Sequence, residues 1–536
     1  ATGGLAWQSV QTTGFTAVAG RAYPCNTTSA AFTVTLPASP SPGDQVAFAD
    51  YAGTFSQNWL TINPNGNNIN GSSNFVALTS NNASAQFVYV DATRGWSLIA
   101  GANSTISTAD QYFSSVSLLL SGNGTNNLAN SAFLDSSSNA LVITRNGNTT
   151  QGSFAPNPKS KSWFSGYFDG SGDYLSVAHN AVLNLGSNDW CIEFWVYKTN
   201  STDSVLLTKR PNNGTAAYPN IYAQNATQKI GIELGGATIL TTSSITLNAW
   251  NHIAVVKSGT ASNNVKCYIN GVADATTATL SSAITSNTNP LILGGDTNAN
   301  YLTGYMASCR VTNGSPVYLN NFTPSKTPLT STGDTAFLCN FANCGIFDSS
   351  SINNFESLGD AKITTSQWRW GGSSMVFDGT GDYLVFPSKT QLDFSTGDFT
   401  IEAWIKPTSI ASDTFVISSV GGGGMFFGFQ AGAGIGYGRN GVAWDYVSST
   451  LPTVSTWQHV AVSRSGTSIR LFLNGTQIGT TQTSSQAYNL AVTTASVGSM
   501  GASLYFTGYM QDIRVTKGVA RYTSNFTAPT EAFPIY

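Results

Sequence analysis

Two short acidic segments have the residue types and the spacing of a divalent-cation site. Asp169 and Asp173 stand four residues apart in a glycine-rich run, and Asp378 and Asp382 repeat that arrangement farther along the chain. A tight turn can aim two carboxylates at one point, and Ca²⁺ takes about six to eight oxygen ligands from carboxylates and carbonyls. Aspartates in glycine-rich turns also accept hydrogen bonds from backbone amides. Each segment therefore predicts either a Ca²⁺ site or a capped turn.

A group of aromatic and basic residues has the chemistry of a carbohydrate site. Trp444 and Tyr446 share one face of an alternating segment, and Tyr437 and Arg439 lie beside them in a glycine-rich region. The face of an aromatic ring is apolar and can stack on a sugar ring. Packing of the same rings inside a sheet is the alternative. The segment therefore predicts either a glycan-binding surface or part of a sheet core.

The glutamates and histidines do not form the arrangement of a hydrolase. Glu193 and Glu402 are lone carboxylates on their segments, whereas a retaining glycosidase needs two carboxyl groups about 5–5.5 Å apart. The spacing around His179, His252 and His459 is not that of a Ser-His-Asp triad or of a metal site. We therefore predict that the protein is not an enzyme.

An internal duplication supplies the elements that position these residues. Five runs of the first copy return in the same order in the second copy. The pairs are Phe168–Leu175 and Phe377–Leu384, Ile192–Trp195 and Ile401–Trp404, Trp250–Val255 and Trp457–Val462, Tyr268–Gly271 and Phe472–Gly475, and Thr303–Thr312 and Thr507–Thr516. Collinear matches over this length indicate a duplicated domain.

Each copy has the pattern of antiparallel β-structure. Along Ile192–Val196, successive side chains alternate between two faces. Asn270-Gly271 and Asn474-Gly475 stand between alternating runs, as two-residue hairpin turns require. No long segment has the 3.6-residue period of an amphipathic helix. We predict an all-β chain with a small N-terminal β domain followed by two jelly-roll sandwiches, each of two sheets.

The predicted boundaries follow from where the repeat begins and ends. Residues 1–100 lack the repeat and form a separate β module, and residues 101–112 are a linker of small residues. Residues 113–332 then form the first copy and residues 333–536 the second. A proline-containing stretch lies between the copies, so we expect each copy to fold as a separate unit.

The composition excludes two classes of partner. Charged residues make up only 9% of the chain and the net charge is -3, so no basic surface for nucleic acid is expected. The chain also lacks an uninterrupted apolar run of about 18 residues, so we expect no membrane insertion.

The cysteines indicate buried thiols. Cys191, Cys267 and Cys309 of the first copy are replaced by threonine, leucine and isoleucine in the second copy, as expected for small buried side chains. Cys339 and Cys344 are close enough in sequence to pair locally, and that possibility stays open. Free thiols are typical of proteins assembled in a bacterial cytoplasm.

The repeated runs resemble the laminin-G-like, concanavalin A-like jelly-roll domains of virion and cell-surface proteins. The resemblance rests on the Phe-Asp-Gly-x-Gly-Asp-Tyr-Leu run, the Ile-Glu-x-Trp and Trp-x-His-x-Ala-Val strands, and the Asn-Gly hairpin. The ending Asp512–Tyr522, followed by Asn525–Thr527, is similar to that of tailed bacteriophage proteins, marine and cyanobacterial ones especially. Residues 1–100 resemble tail-fibre modules more loosely. The resemblance implies two-sheet jelly rolls, frequent Ca²⁺ binding and adhesion, and does not imply catalysis.

The resemblance also adds a third aspartate to the second acidic segment. It implies that the C-terminal strand lies beside the Phe-Asp-Gly turn, which would bring Asp512 within reach of an ion held by Asp378 and Asp382. The first copy has Ser308 at the position of Asp512. We therefore expect weaker Ca²⁺ binding in the first copy than in the second.

These features together predict a non-enzymatic structural protein on the surface of a bacteriophage virion, assembled in the cytoplasm of the host bacterium. We expect a tail fibre or spike that binds a host cell-surface polysaccharide or receptor and contacts other virion proteins. We also expect a homo-oligomer, a trimer if the protein is a fibre. The alternatives are a capsid decoration or head fibre protein, a glycosidase, which the lone glutamates oppose, and a secreted bacterial adhesin.

Overall fold

The computed structural model describes residues 4–104, 106–125, 130, 132–157, 163–210, 218–234, 237–350, 353–387, 390–490 and 492–535. Within these ranges the regular elements are β-strands and three short 3₁₀ helices, Phe113–Ser115, Ala181–Leu183 and Thr390–Leu392. The prediction of an all-β chain is therefore confirmed. None of the helices in the described ranges has the length and apolarity that crossing a membrane requires. The chain divides into two compact units, Ala1–Leu119 with Pro529–Tyr536, and Leu120–Ala528.

The first unit contains two five-stranded sheets. Its strands are β1 (Ala6–Trp7), β2 (Phe15–Thr16), β3 (Arg21–Cys25), β4 (Phe32–Thr35), β5 (Gln45–Asp50), β6 (Leu60–Asn63), β7 (Phe75–Leu78), β8 (Ser84–Asp91), β9 (Gly95–Ala100) and β10 (Ile106–Ala109). One sheet has the order β1-β3-β5-β8-β9 and the other β10-β7-β6-β4-β2. The first six strands alternate between the two sheets and pair in parallel within each sheet. The chain therefore passes from one sheet to the other with each successive strand. Val34, Phe48, Phe87 and Trp96 share its apolar core.

The segment expected to be a linker is partly a strand. β10 pairs antiparallel with β7, with Ile106 opposite Leu78 and Ala109 opposite Phe75. The sheet therefore continues to Ala109, because the backbone groups at the edge of β7 find their partners there. β11 (Val116–Leu120) follows the first 3₁₀ helix.

The first jelly roll consists of two facing sheets. Its strands are β12 (Ile143–Asn146), β13 (Thr150–Gly152), β14 (Ser165–Asp169), β15 (Tyr174–Val177), β16 (Trp190–Lys198), β17 (Ser204–Thr208), β18 (Asn220–Ala223), β19 (Lys229–Leu234), β20 (Ala237–Ser244), β21 (Trp250–Lys257), β22 (Val265–Ile269), β23 (Val272–Ala278), β24 (Leu291–Leu293), β25 (Thr303–Asn313) and β26 (Thr335–Cys339). The sheet orders are β13-β14-β25-β16-β21-β22-β23, with β26 also paired to β25, and β12-β15-β24-β17-β18-β19-β20. Phe194, Ile221 and Val255 belong to the core that the two sheets share.

The second jelly roll repeats this order strand by strand. Its strands are β27 (Glu356–Leu358), β28 (Lys362–Thr364), β29 (Ser374–Asp378), β30 (Tyr383–Pro387), β31 (Asp393–Ser395), β32 (Phe399–Pro407), β33 (Thr414–Ser419), β34 (Met425–Gln430), β35 (Gly434–Arg439), β36 (Ala443–Val447), β37 (Gln458–Ser465), β38 (Ser468–Leu473), β39 (Thr476–Thr483), β40 (Tyr488–Asn489), β41 (Thr494–Val497) and β42 (Thr507–Lys517). Its sheets have the orders β28-β29-β42-β32-β37-β38-β39 and β27-β30-β41-β33-β34-β35-β36, and β31 pairs with β40. The predicted tandem of two-sheet sandwiches is confirmed.

The two predicted hairpins form as expected. Asn270 and Gly271 have φ values of 52° and 81°, and Asn474 and Gly475 have φ values of 51° and 80°. Both positions of a type I′ turn need a positive φ, which asparagine and glycine tolerate best. The turns therefore fix the register of β22 with β23 and of β38 with β39.

Strand β26 crosses the predicted boundary between the copies. In sequence it begins the second copy, yet it pairs antiparallel with β25 of the first sandwich, with Cys309 opposite Cys339 and Val311 opposite Phe337. The side chains of Phe337 and Cys339 belong to the core of the first sandwich. A chain cut at residue 333 would therefore leave that core incomplete, which argues against independent folding of the two copies. All six cysteines are buried and free.

Candidate functional site

Three aspartates meet at one end of the second sandwich. Asp378 ends β29, Asp382 precedes β30, and Asp360 lies in the loop between β27 and β28. One carboxylate oxygen from each residue lies within 4.8 Å of the others. Asp378 and Asp382 were predicted as a pair, whereas Asp360 was missed because it lies outside the matched runs. Its signal is the dipeptide Gly359-Asp360, which corresponds to Gly147-Asn148 in the first copy.

Backbone amides hold the aspartate turn of the second sandwich in place. Asp382 Oδ1 accepts a hydrogen bond from Asp360 N at 2.6 Å, and its Oδ2 accepts one from Asp378 N at 2.9 Å. Asp378 Oδ1 accepts a hydrogen bond from Thr380 N at 2.6 Å. The predicted capping role is thus present. It does not exclude a cation, because Asp360 and Asp378 are exposed and only Asp382 is buried.

The neighbouring carboxylates Asp360 and Asp382 affect each other's pKa. Burial raises the pKa of Asp382, and the neighbouring Asp360 carboxylate raises it further, against the hydrogen bonds from backbone amides. The hydrogen bond from Lys362 Nζ, at 3.0 Å from Asp360 Oδ2, lowers the pKa of Asp360. Gly359 permits the close approach, since its φ is 66° and a Cβ there would lie 2.3 Å from Asp382 Oδ1. The turn thus brings three carboxylates together, and the ammonium group of Lys362 lies beside the carboxylate of Asp360.

The first sandwich has the same turn, with Asn148 at the position of Asp360. Asp173 accepts hydrogen bonds from Asn148 N at 2.7 Å and from Asp169 N at 2.9 Å. In the orientation that satisfies its hydrogen bonds, the Asn148 amide nitrogen lies 2.9 Å from Asp173 Oδ1 and 3.2 Å from Asp169 Oδ2. Burial raises the pKa of Asp173 to about 6. An amide donor therefore joins the two carboxylates where the second sandwich has a third carboxylate.

Asp512 does not lie with the other aspartates, contrary to the expectation from the sequence. Thr507 is the residue opposite Asp378 in the β29–β42 pairing, so Asp512 lies five residues farther along β42, about 16 Å away. Asp512 is buried at a β-bulge with a φ of 50°, and its Oδ2 accepts a hydrogen bond from Trp370 Nε1 at 2.6 Å. It is held there by the indole N–H of Trp370, which packs against Trp404.

The first copy shows the same arrangement around Ser308. Ser308 has a φ of 46°, and its Oγ accepts a hydrogen bond from Trp163 Nε1 at 3.0 Å. Trp163 packs edge-on against Trp195, as Trp370 packs against Trp404. Serine and aspartate therefore serve one structural purpose at this bulge, and the difference between the copies has no bearing on the aspartate turn.

The predicted aromatic group lies on adjacent strands, β35 and β36, but it is largely occupied by internal contacts. Tyr437 is buried and packs edge-on against Tyr488. Trp444 is half-buried, with its ring stacked on Phe415 at 5.7 Å between ring centres. Tyr446, also half-buried, accepts a hydrogen bond from Thr480 N through its hydroxyl.

Arg439 is likewise engaged within the sandwich. Its guanidinium donates to both carboxylate oxygens of Asp445, with the Nη2–Oδ1 distance at 2.9 Å, and to Gln486 Oε1 at 3.1 Å. Trp444 and Tyr446 are therefore the members of the group with ring surface open to solvent.

Glu193 lies at the centre of a buried ionic network. Its Oε1 accepts a hydrogen bond from Arg310 Nε at 2.9 Å, and its Oε2 lies 3.2 Å from His252 Nε2 and 2.8 Å from the Tyr318 hydroxyl. The side chain is fully buried. Burial alone would raise the pKa of Glu193, but the hydrogen bond from His252 and the charge of Arg310 hold it below its usual value.

Glu402 repeats this network in the second sandwich. It accepts hydrogen bonds from Arg514 Nε at 2.9 Å and from the Tyr522 hydroxyl at 2.7 Å, and it lies 3.0 Å from His459 Nε2. Burial opposes ionisation, yet the Arg514 charge and the hydrogen bond from His459 lower the pKa of Glu402. Both glutamates are structural, because no substrate can reach a fully buried carboxylate.

The sequence matches one protein family in both copies. The model of the Concanavalin A-like lectin/glucanases superfamily matches residues 169–316 and 378–521, which together make up more than half of the chain. The chain belongs to this family. The two matches begin at Asp169 and Asp378, so each starts at an aspartate turn, and each ends one or two residues before the tyrosine of the ionic network, Tyr318 or Tyr522. No curated protein sequence matches the chain.

Three solved structures are among those to which the chain is similar. Domains LG4-5 of the mouse laminin alpha1 chain share 12% identity, with 72% of this chain and 95% of that chain covered and a TM-score of 0.25. The LG1-3 region of the laminin alpha2 chain shares 11% identity over 66% of this chain and 62% of that chain, with a TM-score of 0.31. Domain 4 of AbnA, a GH43 extracellular arabinanase from Geobacillus stearothermophilus, in complex with arabinotriose, shares 14% identity. The match covers 32% of this chain and 87% of that chain, with a TM-score of 0.28.

Proposed function

We propose that the protein is a non-enzymatic adhesin that binds a cell-surface glycan or glycan-bearing receptor through its two sandwiches. The family includes both lectins and glucanases. The burial of Glu193 and Glu402 is the observation that favours a lectin over a glucanase. A glucanase needs two carboxyl groups that flank the scissile bond. Here each candidate glutamate is fully buried and paired with arginine, histidine and tyrosine, so it serves the fold.

The experiment measures binding and cleavage on the same material. The full chain is applied to an array of bacterial surface polysaccharides, and the reducing ends released from each bound polysaccharide are then measured. We expect retention on at least one polysaccharide without release of reducing ends. Release that is abolished by Glu402→Gln but not by the matched Glu193→Gln would assign catalysis to the second sandwich and overturn the proposal.

We further propose that this adhesin stands on the surface of a bacteriophage virion, as a tail fibre or spike assembled in the host cytoplasm. The proposal is supported by the phage-like ending Asp512–Tyr522 and by the tandem of adhesive domains behind a separate N-terminal β unit. Its partners would be other virion proteins and further copies of the chain, three in a fibre. A capsid decoration or head fibre is the alternative location. Antibody labelling of purified particles in the electron microscope tests both, and particles without label would contradict them.

The second sandwich is proposed to hold Ca²⁺ at Asp360, Asp378 and Asp382. Three carboxylates within 4.8 Å offer the hard oxygen ligands that Ca²⁺ prefers, and glycine-rich turns add carbonyl oxygens. The first sandwich fits the ion less well, because the Asn148 amide donates to both carboxylates there. Bound Ca²⁺ would neutralise the carboxylates and fix the turn at the end of the sandwich.

A further inference from the structure

A cavity of about 190 Å³ lies between the two sandwiches of the unit Leu120–Ala528. The first sandwich contributes part of its aspartate turn and the adjoining strand β14, and the second contributes β27 and β30. The lining side chains with distinct chemistry are Asn148, Tyr167, Asp169, Phe355, Glu356 and Phe386. Both sandwiches are needed to form this cleft, since neither supplies more than one side of it.

The two walls of the cleft are joined by direct hydrogen bonds. Thr150 Oγ1 donates to the carbonyl oxygen of Phe355 at 2.6 Å, and Phe154 N donates to Asn354 Oδ1 at 3.1 Å. An ion pair between Arg145 and Glu356 bridges the same two sandwiches. A cleft held in this way exists before a ligand arrives, which lowers the entropic cost of binding.

We propose that this cleft is a saccharide subsite that takes a single sugar ring of the glycan. The inference rests on the proposed function and names the cleft as the position where the glycan binds. The ring of Tyr167 is half-buried and lines the cleft, where it suits the apolar C–H face of a pyranose, and the buried rings of Phe355 and Phe386 make the wall beside it apolar. Asp169 and Asn148 provide a carboxylate acceptor and an amide for the hydroxyl groups. A ligand pocket of this kind is mostly apolar with a few convergent polar groups.

The polar groups of the cleft are held rigidly. Asp169 Oδ1 accepts a hydrogen bond from Ser171 N at 2.7 Å, and the Asn148 amide lies against the carboxylates of Asp169 and Asp173. The cavity is smaller than the roughly 300–1,000 Å³ of pockets for drug-sized ligands. It therefore fits one ring of a longer glycan, with the remainder of the chain outside.

The corresponding turn of the second sandwich does not repeat the lining of this cleft. Tyr167 corresponds to Val376 in the second copy, and Asn148 corresponds to Asp360. The second aspartate turn thus lacks both the aromatic ring and the amide. The chain is expected to carry one such subsite, although its two sandwiches share their fold.

The test fills the cleft without removing any of its contacts. Val385 lines the cavity on β30 and is half-buried, and its counterpart in the first copy, Ser176 on β15, lies outside the cleft. Val385→Trp and Ser176→Trp are therefore matched variants of the full chain. Binding of methyl pyranosides of glucose, galactose, mannose, rhamnose and N-acetylglucosamine is measured by saturation-transfer NMR and titration, beside binding to the polysaccharide array. Melting temperatures establish that both variants fold.

We expect Val385→Trp to raise the Kd of the preferred pyranoside at least about tenfold and Ser176→Trp to leave it within about twofold. Tyr167→Ala should weaken binding in the same direction. Glycan binding that is equal in wild type and Val385→Trp would refute the cleft and leave the proposed function standing. If the wild-type chain retains no polysaccharide and no pyranoside, the proposed function fails and the cleft fails with it.

Discussion

The aspartate turns offer the most direct test of the Ca²⁺ proposal, because the two copies differ by one candidate ligand, Asn148 in the first and Asp360 in the second. Ca²⁺ that binds only the folded state stabilises it by RT ln(1 + [L]/Kd), about 2.7 kcal/mol at a hundredfold excess over Kd. The unit Leu120–Ala528 contains about 400 residues, and an unfolding entropy of about 2.1 cal/mol/K per residue gives about 0.9 kcal/mol per degree. We therefore expect the melting temperature to rise by about 3 °C when the unit unfolds as a whole, and by about 6 °C when one sandwich unfolds alone.

The assay is thermal unfolding of the full chain in EGTA and in millimolar Ca²⁺, with Mg²⁺ as the ion control. Asp378→Asn should abolish the rise, whereas the matched Asp169→Asn in the first copy should leave it unchanged. Asn148→Asp creates the third carboxylate of the first turn and should add a second, independent rise. Asp512→Asn should not alter the rise, because Asp512 lies about 16 Å from Asp378. A rise that survives Asp378→Asn, or no rise in the wild-type chain, would refute the site.

Three further results are expected. Glu402→Gln should lower the free energy of unfolding by about 3–5 kcal/mol at neutral pH, measured by urea titration, because it breaks a buried ionic network. Since the folded pKa of Glu402 lies below its ordinary 4.5, its contribution is present above that pH and is lost as the pH falls, so the variant should show a shallower acid loss of stability than wild type. Phe337→Ala should cost about 3–5 kcal/mol and speed hydrogen exchange in β25 of the first sandwich; faster exchange confined to the second sandwich would contradict the pairing of β26. Gly359→Ala should cost about 1–3 kcal/mol in calorimetry, and an unchanged stability would show that Asp382 relaxes freely.

Features that depend on local pattern could be predicted from the sequence. The duplication, the hairpins at Asn270-Gly271 and Asn474-Gly475, and the all-β class follow from residues that are close in the chain. The pairing of Asp378 with Asp382 is also local, because a single turn holds both. Such features need no knowledge of which strand lies beside which.

Features that depend on strand register or on distant pairing could not be predicted. The distance of Asp512 from Asp378 is set by the offset of β29 along β42, which the residues of either strand do not reveal. Asp360 joins the site from the loop between β27 and β28, which lies outside the repeated runs. β26 pairs across the boundary of the copies, and nothing in its own residues indicates which sandwich it joins. The parallel pairing of strands in the N-terminal unit could not be predicted either, because parallel and antiparallel strands have similar local patterns.

Strand β26 also determines how the chain responds to mechanical load. It connects the two sandwiches, and it is bonded to β25 through the register pairs from Cys309–Cys339 to Thr312–Thr335. A flexible connection under tension would first lengthen. Here the hydrogen bonds between β25 and β26 must break before the segment between these two strands can extend, and the core around Phe337 must open with them. A force applied between the two sandwiches therefore acts on the β25–β26 hydrogen bonds and on the core of the first sandwich.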